Sequence, residues 1–293
     1  MCDDFTALAD DATLAKRGLS RRDFAAISAA AMGTLTVSTA CAAQGTSPAL
    51  TESTVSITTP DGKMDAFFVH PTEGKHPAVI MYPDIAGLRD AYKAMARTLA
   101  ASGYAVVAVN HYYRSAKAPV MATISEFFAP EGREKLAPMM AKLTTPAIMS
   151  DAKAIVAWLD ANPAVDASKK IAAEGYCMTG SYAVRTAAAV PGRVGAVSSF
   201  HGGGLVTAAP DSPHKLLKGT KALYLFAIAQ NDDKRSPDDK VALRHAAEDA
   251  GVGARVEVFA ADHGWCTVDS AAYEPVEAER ARILSLWNYG KMG

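Results

Sequence analysis

A cysteine, a pair of aspartates and a histidine, in that chain order, are the residues whose types and surroundings could carry out acyl chemistry. Cys177 lies in Gly175-Tyr176-Cys177-Met178-Thr179-Gly180. A thiolate is a good nucleophile. A tight strand-to-helix turn would lift it above a sheet and aim backbone N–H groups at the adjacent space. The start of the following helix lowers a thiol pKa and favours a developing oxyanion. Asp232-Asp233 comes later, and then Asp262-His263-Gly264-Trp265. A histidine can take the thiol proton and return it to a leaving group. A carboxylate fixes the tautomer of that histidine and supports the imidazolium. Spacing leaves both Asp232 and Asp233 open for this role, and the unused one caps or solvates its loop.

Such residues need a scaffold, and strands alternate with helices along the chain. Thr54–Thr59 and Met64–His70 flank a Pro60-Asp61-Gly62-Lys63 turn, a hairpin signal. The apolar runs Ala78–Tyr82, Tyr104–Asn110, Ile171–Tyr176, Ala196–Phe200, Ala222–Ile228 and Arg255–Phe259 are predicted strands. Helical spacing covers Leu88–Ser102, Asp151–Ala161 with Ser150 as N-cap, Ser181–Val190, Asp238–Ala250 and Glu277–Tyr289. Residues 112–146 make a connection too long for an ordinary loop, hence one that is partly helical. This rhythm predicts a mostly parallel sheet with helices on both faces, whose active groups gather at the carboxyl ends of the strands. Those ends carry Asp84, Arg114, Cys177, His201, Asp232 or Asp233, and His263.

Composition narrows the function classes. The chain is 49% hydrophobic and 21% charged, as in ordinary globular proteins. With 30 basic and 31 acidic residues, it has no general electrostatic reason to bind nucleic acid or an anionic membrane. Ser20-Arg21-Arg22-Asp23-Phe24 precedes an uncharged, weakly apolar stretch, Ala25 to Ala40, too short for a membrane span. Ala40-Cys41-Ala42 offers a small-x-small cleavage site, and the whole resembles a twin-arginine export signal. The expected organisation is a signal at 1–42, a polar linker at 43–52 and one domain at 53–293, periplasmic or secreted. Lipidation at Cys41 is the variant, with Ser38 where a lipobox carries Leu. Beyond the signal only Cys177 and Cys266 remain, too few for a disulfide framework.

Nucleophile, acid and histidine stand in the chain order of α/β-hydrolases. With Tyr82-Pro83-Asp84-Ile85-Ala86-Gly87-Leu88, Tyr112-Tyr113-Arg114, the Gly-Tyr-Cys elbow and His263-Gly264-Trp265, the chain resembles the dienelactone hydrolase family over about residues 53–290. The resemblance implies an α/β-hydrolase fold that hydrolyses an ester or lactone, with Cys177 as nucleophile, Asp232 as acid and His263 as base. It also implies an oxyanion hole from the backbone N–H groups of Ile85 and Met178. Asp84 falls where the family has a Glu that contacts the thiol, though its other role would be to cap the helix at Leu88. Arg114 falls where an arginine can hold a substrate carboxylate, and otherwise is a surface arginine paired with a Glu of the 112–147 segment.

Three positions depart from the family pattern. Thr179 replaces a Gly of the elbow, Asp84 is shorter than Glu, and Thr267 stands where a second substrate-binding arginine would be. The chemistry is therefore carried over without the dicarboxylate-like lactone.

His201-Gly202-Gly203-Gly204 resembles a lipase oxyanion motif, but it follows the nucleophile instead of preceding it, so His201 is read as lining or supporting the pocket. His70, His76, His111, His214 and His245 lack metal-ligand spacing and are read as surface or loop residues. No phosphate-binding or dinucleotide motif is present, so no cofactor is implied, and the partner is a small-molecule ester or lactone. Two other readings compete: a non-catalytic relative that binds a small ligand, and a thiol redox protein using Cys177 and Cys266.

Overall fold

Apolar side chains that alternate along a strand can cover two layers of helix at once, and that is how this chain builds its core. The computed structural model describes residues 48–292; the stretch read as an export signal at 1–42 and the first half of the linker read at 43–52 lie outside them. Eight strands form one sheet in the order β1-β2-β4-β3-β5-β6-β7-β8. β1 (Leu50–Thr59) and β2 (Gly62–Pro71) make the hairpin, and β2 also runs antiparallel to β4 (Ala105–Val109). From β4 on, through β3 (Ala78–Tyr82), β5 (Ile171–Tyr176), β6 (Val194–Phe200), β7 (Leu223–Ala229) and β8 (Ala254–Phe259), every pairing is parallel. This is the mostly parallel sheet that the strand–helix rhythm predicts, in the α/β-hydrolase arrangement that the resemblance implies.

One face of the sheet, carrying Ile80, Val107, Ala173, Val197 and Phe226, packs against α4 (Thr145–Asp160), α5 (Gly180–Ala189) and α8 (Asp239–Ala250). The other, carrying Val79, Val106, Ala172 and Leu225, packs against α1 (Asp90–Ala100) and α9 (Pro275–Tyr289). Neighbouring residues of each strand thus serve opposite layers, which explains why these strands read as unbroken apolar runs. No helix among the described residues is long and apolar enough to cross a membrane.

The long connection after β4 holds α2 (Ser125–Phe128) and α3 (Pro130–Met140), and their apolar residues pack over the loop after β3. Some boundaries move. β1 begins at Leu50, inside the stretch read as linker. α4 starts at Thr145, not Asp151, because the Thr144 hydroxyl accepts from the Ala147 N–H and Pro146 suits a first turn. Two short helices, α6 (Pro213–Leu216) and α7 (Gln230–Arg235), have no periodic signal, being too short to show one.

Candidate active site

The turn after β5 is built by what cannot fit there. A Cβ added to Gly175 would lie 2.1 Å from the Thr179 carbonyl oxygen, and one on Gly180 would lie 2.3 Å from Ser199 Oγ. Between them the backbone turns sharply, and Cys177 takes φ +56°, a left-handed conformation that costs a non-glycine residue energy. Thr179, at the position where the family has Gly, does not open the turn. Its hydroxyl donates to the Tyr82 carbonyl at the end of β3 (2.7 Å) and accepts from the Tyr176 N–H (3.0 Å). The side chain is fully buried and staples the elbow to the neighbouring strand. The next residue, Gly180, is where a side chain would not fit.

Cys177 is itself buried, and its sulfur hydrogen-bonds His263 from the loop after β8. His263 Nδ1 meets Asp232 Oδ2 at 2.6 Å. Burial opposes charge on this ring. The Cys177 sulfur and the Asp232 carboxylate outweigh burial and push the imidazolium pKa up to about 10. Asp233 turns away to Lys240 (2.8 Å). The choice between the two aspartates is made by α7, which aims one at β8 and the other at α8.

Two further contacts register these loops. The Asn231 side-chain oxygen accepts the His263 N–H (2.9 Å), and Gln230 Nε2 donates to Asp262 Oδ1 (3.0 Å). Sequence reasoning passed over Gln230 and Asn231, although both adjoin Asp232 and could have been suspected as loop-bridging amides. Met178 is the second residue of the helical turn at Cys177–Thr179, where an N–H has no carbonyl one turn back. Near Ile85, the Tyr112 hydroxyl donates to the Ile85 carbonyl (2.8 Å), and the Ala86 N–H donates to Asp84 Oδ1 (2.9 Å). These two bonds hold opposite sides of one peptide and fix the loop.

Two of the predicted residues have charge partners of their own. The family pattern sets Asp84 against the thiol. In the structure both its oxygens accept from Arg89, and α1 starts too late for Asp84 to cap it. Arg89 also donates twice to Asp269, so a fully buried arginine sits between two carboxylates. Neither Arg89 nor Asp269 carried a local signal: they are 180 residues apart. The sequence reading puts Arg114 at a substrate carboxylate. Its guanidinium instead grips Asp151 with two bonds (2.7 and 2.8 Å) and Asp61 with two more (2.9 and 2.6 Å). The physical reason is reach: the β1–β2 turn brings Asp61, and α4 brings Asp151, to either side of the same guanidinium.

His201 lies beside His263, its ring 4.7 Å from that of His263 and 5.2 Å from that of Trp265. His111, read as a surface or loop histidine, is buried against the rings of Tyr112 and Tyr182, and burial first, then Arg89, pushes its pKa down to about 3. Cys266 is a free, buried thiol, held well above the usual cysteine range by burial, which argues against a redox pair with Cys177. Among the described residues, no group of three or more His, Cys, Asp or Glu is placed to hold a metal ion.

The model of the dienelactone hydrolase family matches residues 64–287. No curated protein sequence matches the chain. Three solved structures resemble it. A provisionally assigned dienelactone hydrolase from Klebsiella pneumoniae is 22% identical, with TM-score 0.71 over 83% of this chain and 99% of its own. A dienelactone hydrolase-like promiscuous phosphotriesterase from metagenomic libraries is 20% identical, with TM-score 0.68 over 83% and 99%. The dienelactone hydrolase of Anabaena variabilis is 19% identical, with TM-score 0.60 over the same shares. Likeness at this identity establishes the fold.

Proposed function

The chain belongs to the dienelactone hydrolase family, hydrolases of carboxylic esters, and on that footing we propose that it cleaves a small ester or lactone through a thioester on Cys177. The observation that carries this reading is the hydrogen-bonded run from the Cys177 sulfur through His263 to Asp232. The Cys177 thiolate, its proton held by His263, attacks the carbonyl carbon. The oxyanion so formed accepts hydrogen bonds from the backbone N–H groups of Ile85 and Met178. The C–O bond breaks, His263 gives its proton to the departing alkoxide, and a thioester remains. A water then loses a proton to His263 and attacks the thioester. Collapse of that adduct frees the carboxylic acid and returns the thiolate, with Asp232 holding the imidazole in one tautomer throughout.

The chain's own walls favour a neutral substrate. Ile85, Tyr112, Val120, Met121 and Phe127 form an apolar cluster over the oxyanion loop, while Arg89 and Arg114 have each been taken by two aspartates. In a p-nitrophenyl ester assay, Cys177→Ala should abolish turnover without changing the melting temperature much. Asp232→Asn should cost at least about 10²-fold, well beyond Asp233→Asn. Retained activity in the Cys177 variant would end the proposal.

We also propose that residues 1–42 export the folded domain. The support is Arg21-Arg22 ahead of an uncharged Ala25 to Ala40. Replacing both arginines with lysine should leave the protein in the cytoplasm on cell fractionation. Unchanged export would remove the idea.

A further inference from the structure

Two adjoining non-glycine residues of the fold adopt left-handed backbone: Cys177 at φ +56° and His201 at φ +40°. The two turns that hold them are bonded to each other. The Cys177 N–H donates to His201 Nδ1 at 3.0 Å, and the Cys177 carbonyl accepts from the Gly203 N–H at 3.0 Å. The turn after β6 thus takes hold of both ends of the Cys177 residue. That turn is anchored in its own right, because the His201 N–H donates to the Ala227 carbonyl of β7 (2.8 Å).

The choice of histidine has a cost that an apolar ring would avoid. An Nδ1 that accepts must leave the ring proton on Nε2, and His201 Nε2 is buried with no partner among the described residues. A phenyl or isobutyl group would fill the same space with no polar atom to satisfy. What only a side-chain acceptor supplies here is the bond to the Cys177 amide. Burial, reinforced by the charge on the adjacent His263, holds the ring pKa well below its usual value, so the lone pair on Nδ1 stays available.

We infer that His201 is a positioning residue. Its Nδ1 holds the Cys177 amide, and through it keeps the nucleophile in the left-handed conformation that turns the sulfur to His263 and the Met178 N–H toward the oxyanion. The inference rests on the reading of Cys177 as nucleophile. It touches no reacting atom and acts through the backbone.

Three variants of the full chain separate the acceptor from the backbone strain. His201→Gly adopts left-handed φ freely but offers no side-chain acceptor, whereas His201→Asn tolerates left-handed φ and keeps an acceptor oxygen near the Nδ1 position. His201→Leu matches Asn in shape without the acceptor. With p-nitrophenyl acetate, His201→Gly should lose about 10²-fold in kcat with KM within about threefold, as a misplaced nucleophile would. Alkylation of Cys177 by iodoacetamide should slow about tenfold or more in the same variant, because the sulfur loses its partner His263. His201→Asn should recover at least about tenfold in both readouts over His201→Gly. Equal values for Asn and Gly, or a wild-type rate in Gly, would overturn the inference. If His201→Gly does not fold, Asn against Leu decides the matter by the same criteria. A wild-type protein that turns over no ester would refute the proposed function alone, since the alkylation series still tests the hold on Cys177.

Discussion

Arg89 and Arg114 present the same local chemistry, one guanidinium between two aspartates, in two very different places. Arg89 is fully buried and binds Asp84 of the loop after β3 and Asp269 of the loop after β8. Its five N–H donors are all used, the fifth on the Gly87 carbonyl, and Asp269 also accepts the Ile124 N–H from the connection above. One arginine therefore ties together the proposed oxyanion loop, the loop of His263 and the apolar cap. Arg114 ties the β1–β2 turn to α4, and its partner Asp61 is half exposed. What differs is water, which reaches Asp61 but neither Asp151 nor the two partners of Arg89. A charge pair in reach of solvent loses little when broken, whereas a buried one leaves a carboxylate with nothing to replace its partner.

The largest expected effect follows from removing the buried cation. Arg89→Met should cost about 3–5 kcal/mol, seen as a fall in melting temperature of roughly 10 °C, and should lower esterase activity with it. A stability change under about 1 kcal/mol would show that the cluster relaxes when it loses its centre.

Glu174 sharpens the contrast, because it is a buried carboxylate that faces hydroxyls instead of a guanidinium. It accepts from Tyr176 (3.1 Å) and Tyr289 (2.8 Å). Burial outweighs those bonds and raises its pKa to about 7. The folded protein therefore holds this proton longer than the unfolded chain does. The stability it contributes is complete below the ordinary glutamate pKa and is lost as pH rises through about 7. The loss amounts to about 3 kcal/mol by pH 8. Urea midpoints at pH 5 and pH 8 should diverge in wild type and draw together in Glu174→Gln. Parallel slopes in the two proteins would mean that Glu174 does not carry the effect.

The smallest change is expected at the half-exposed corner. Arg114→Ala should cost about 1–2 kcal/mol, since Asp151 keeps the Tyr113 hydroxyl at 2.7 Å. The ratio of kcat/KM for an acid substrate and its methyl ester should stay within about twofold of wild type. A selective loss on the acid would restore Arg114 to a substrate-binding role and break the parallel with Arg89.

What could be read from the sequence was local in the chain or carried by order along it. Apolar runs of strand length, the glycines around Cys177, and the succession Cys177, Asp232, His263 led to the sheet, the elbow and the family. These signals survive because each depends on residues a few positions apart, or on a chain order that a parallel sheet turns into adjacency at its carboxyl edge. Three-dimensional packing decided what the reading left open. Asp232 faces His263 because α7 follows β7 directly and presents consecutive aspartates to different neighbours. Arg114 joins Asp61 and Asp151 because a hairpin turn and a helix converge on it. Thr179 fits the elbow because Tyr82 offers a carbonyl from the next strand. Arg89 finds Asp269, and His201 finds the Cys177 amide, across separations that leave no trace in spacing. A hydrogen bond is sensitive to fractions of an ångström, and hydrophobic periodicity sets only which face of an element turns inward.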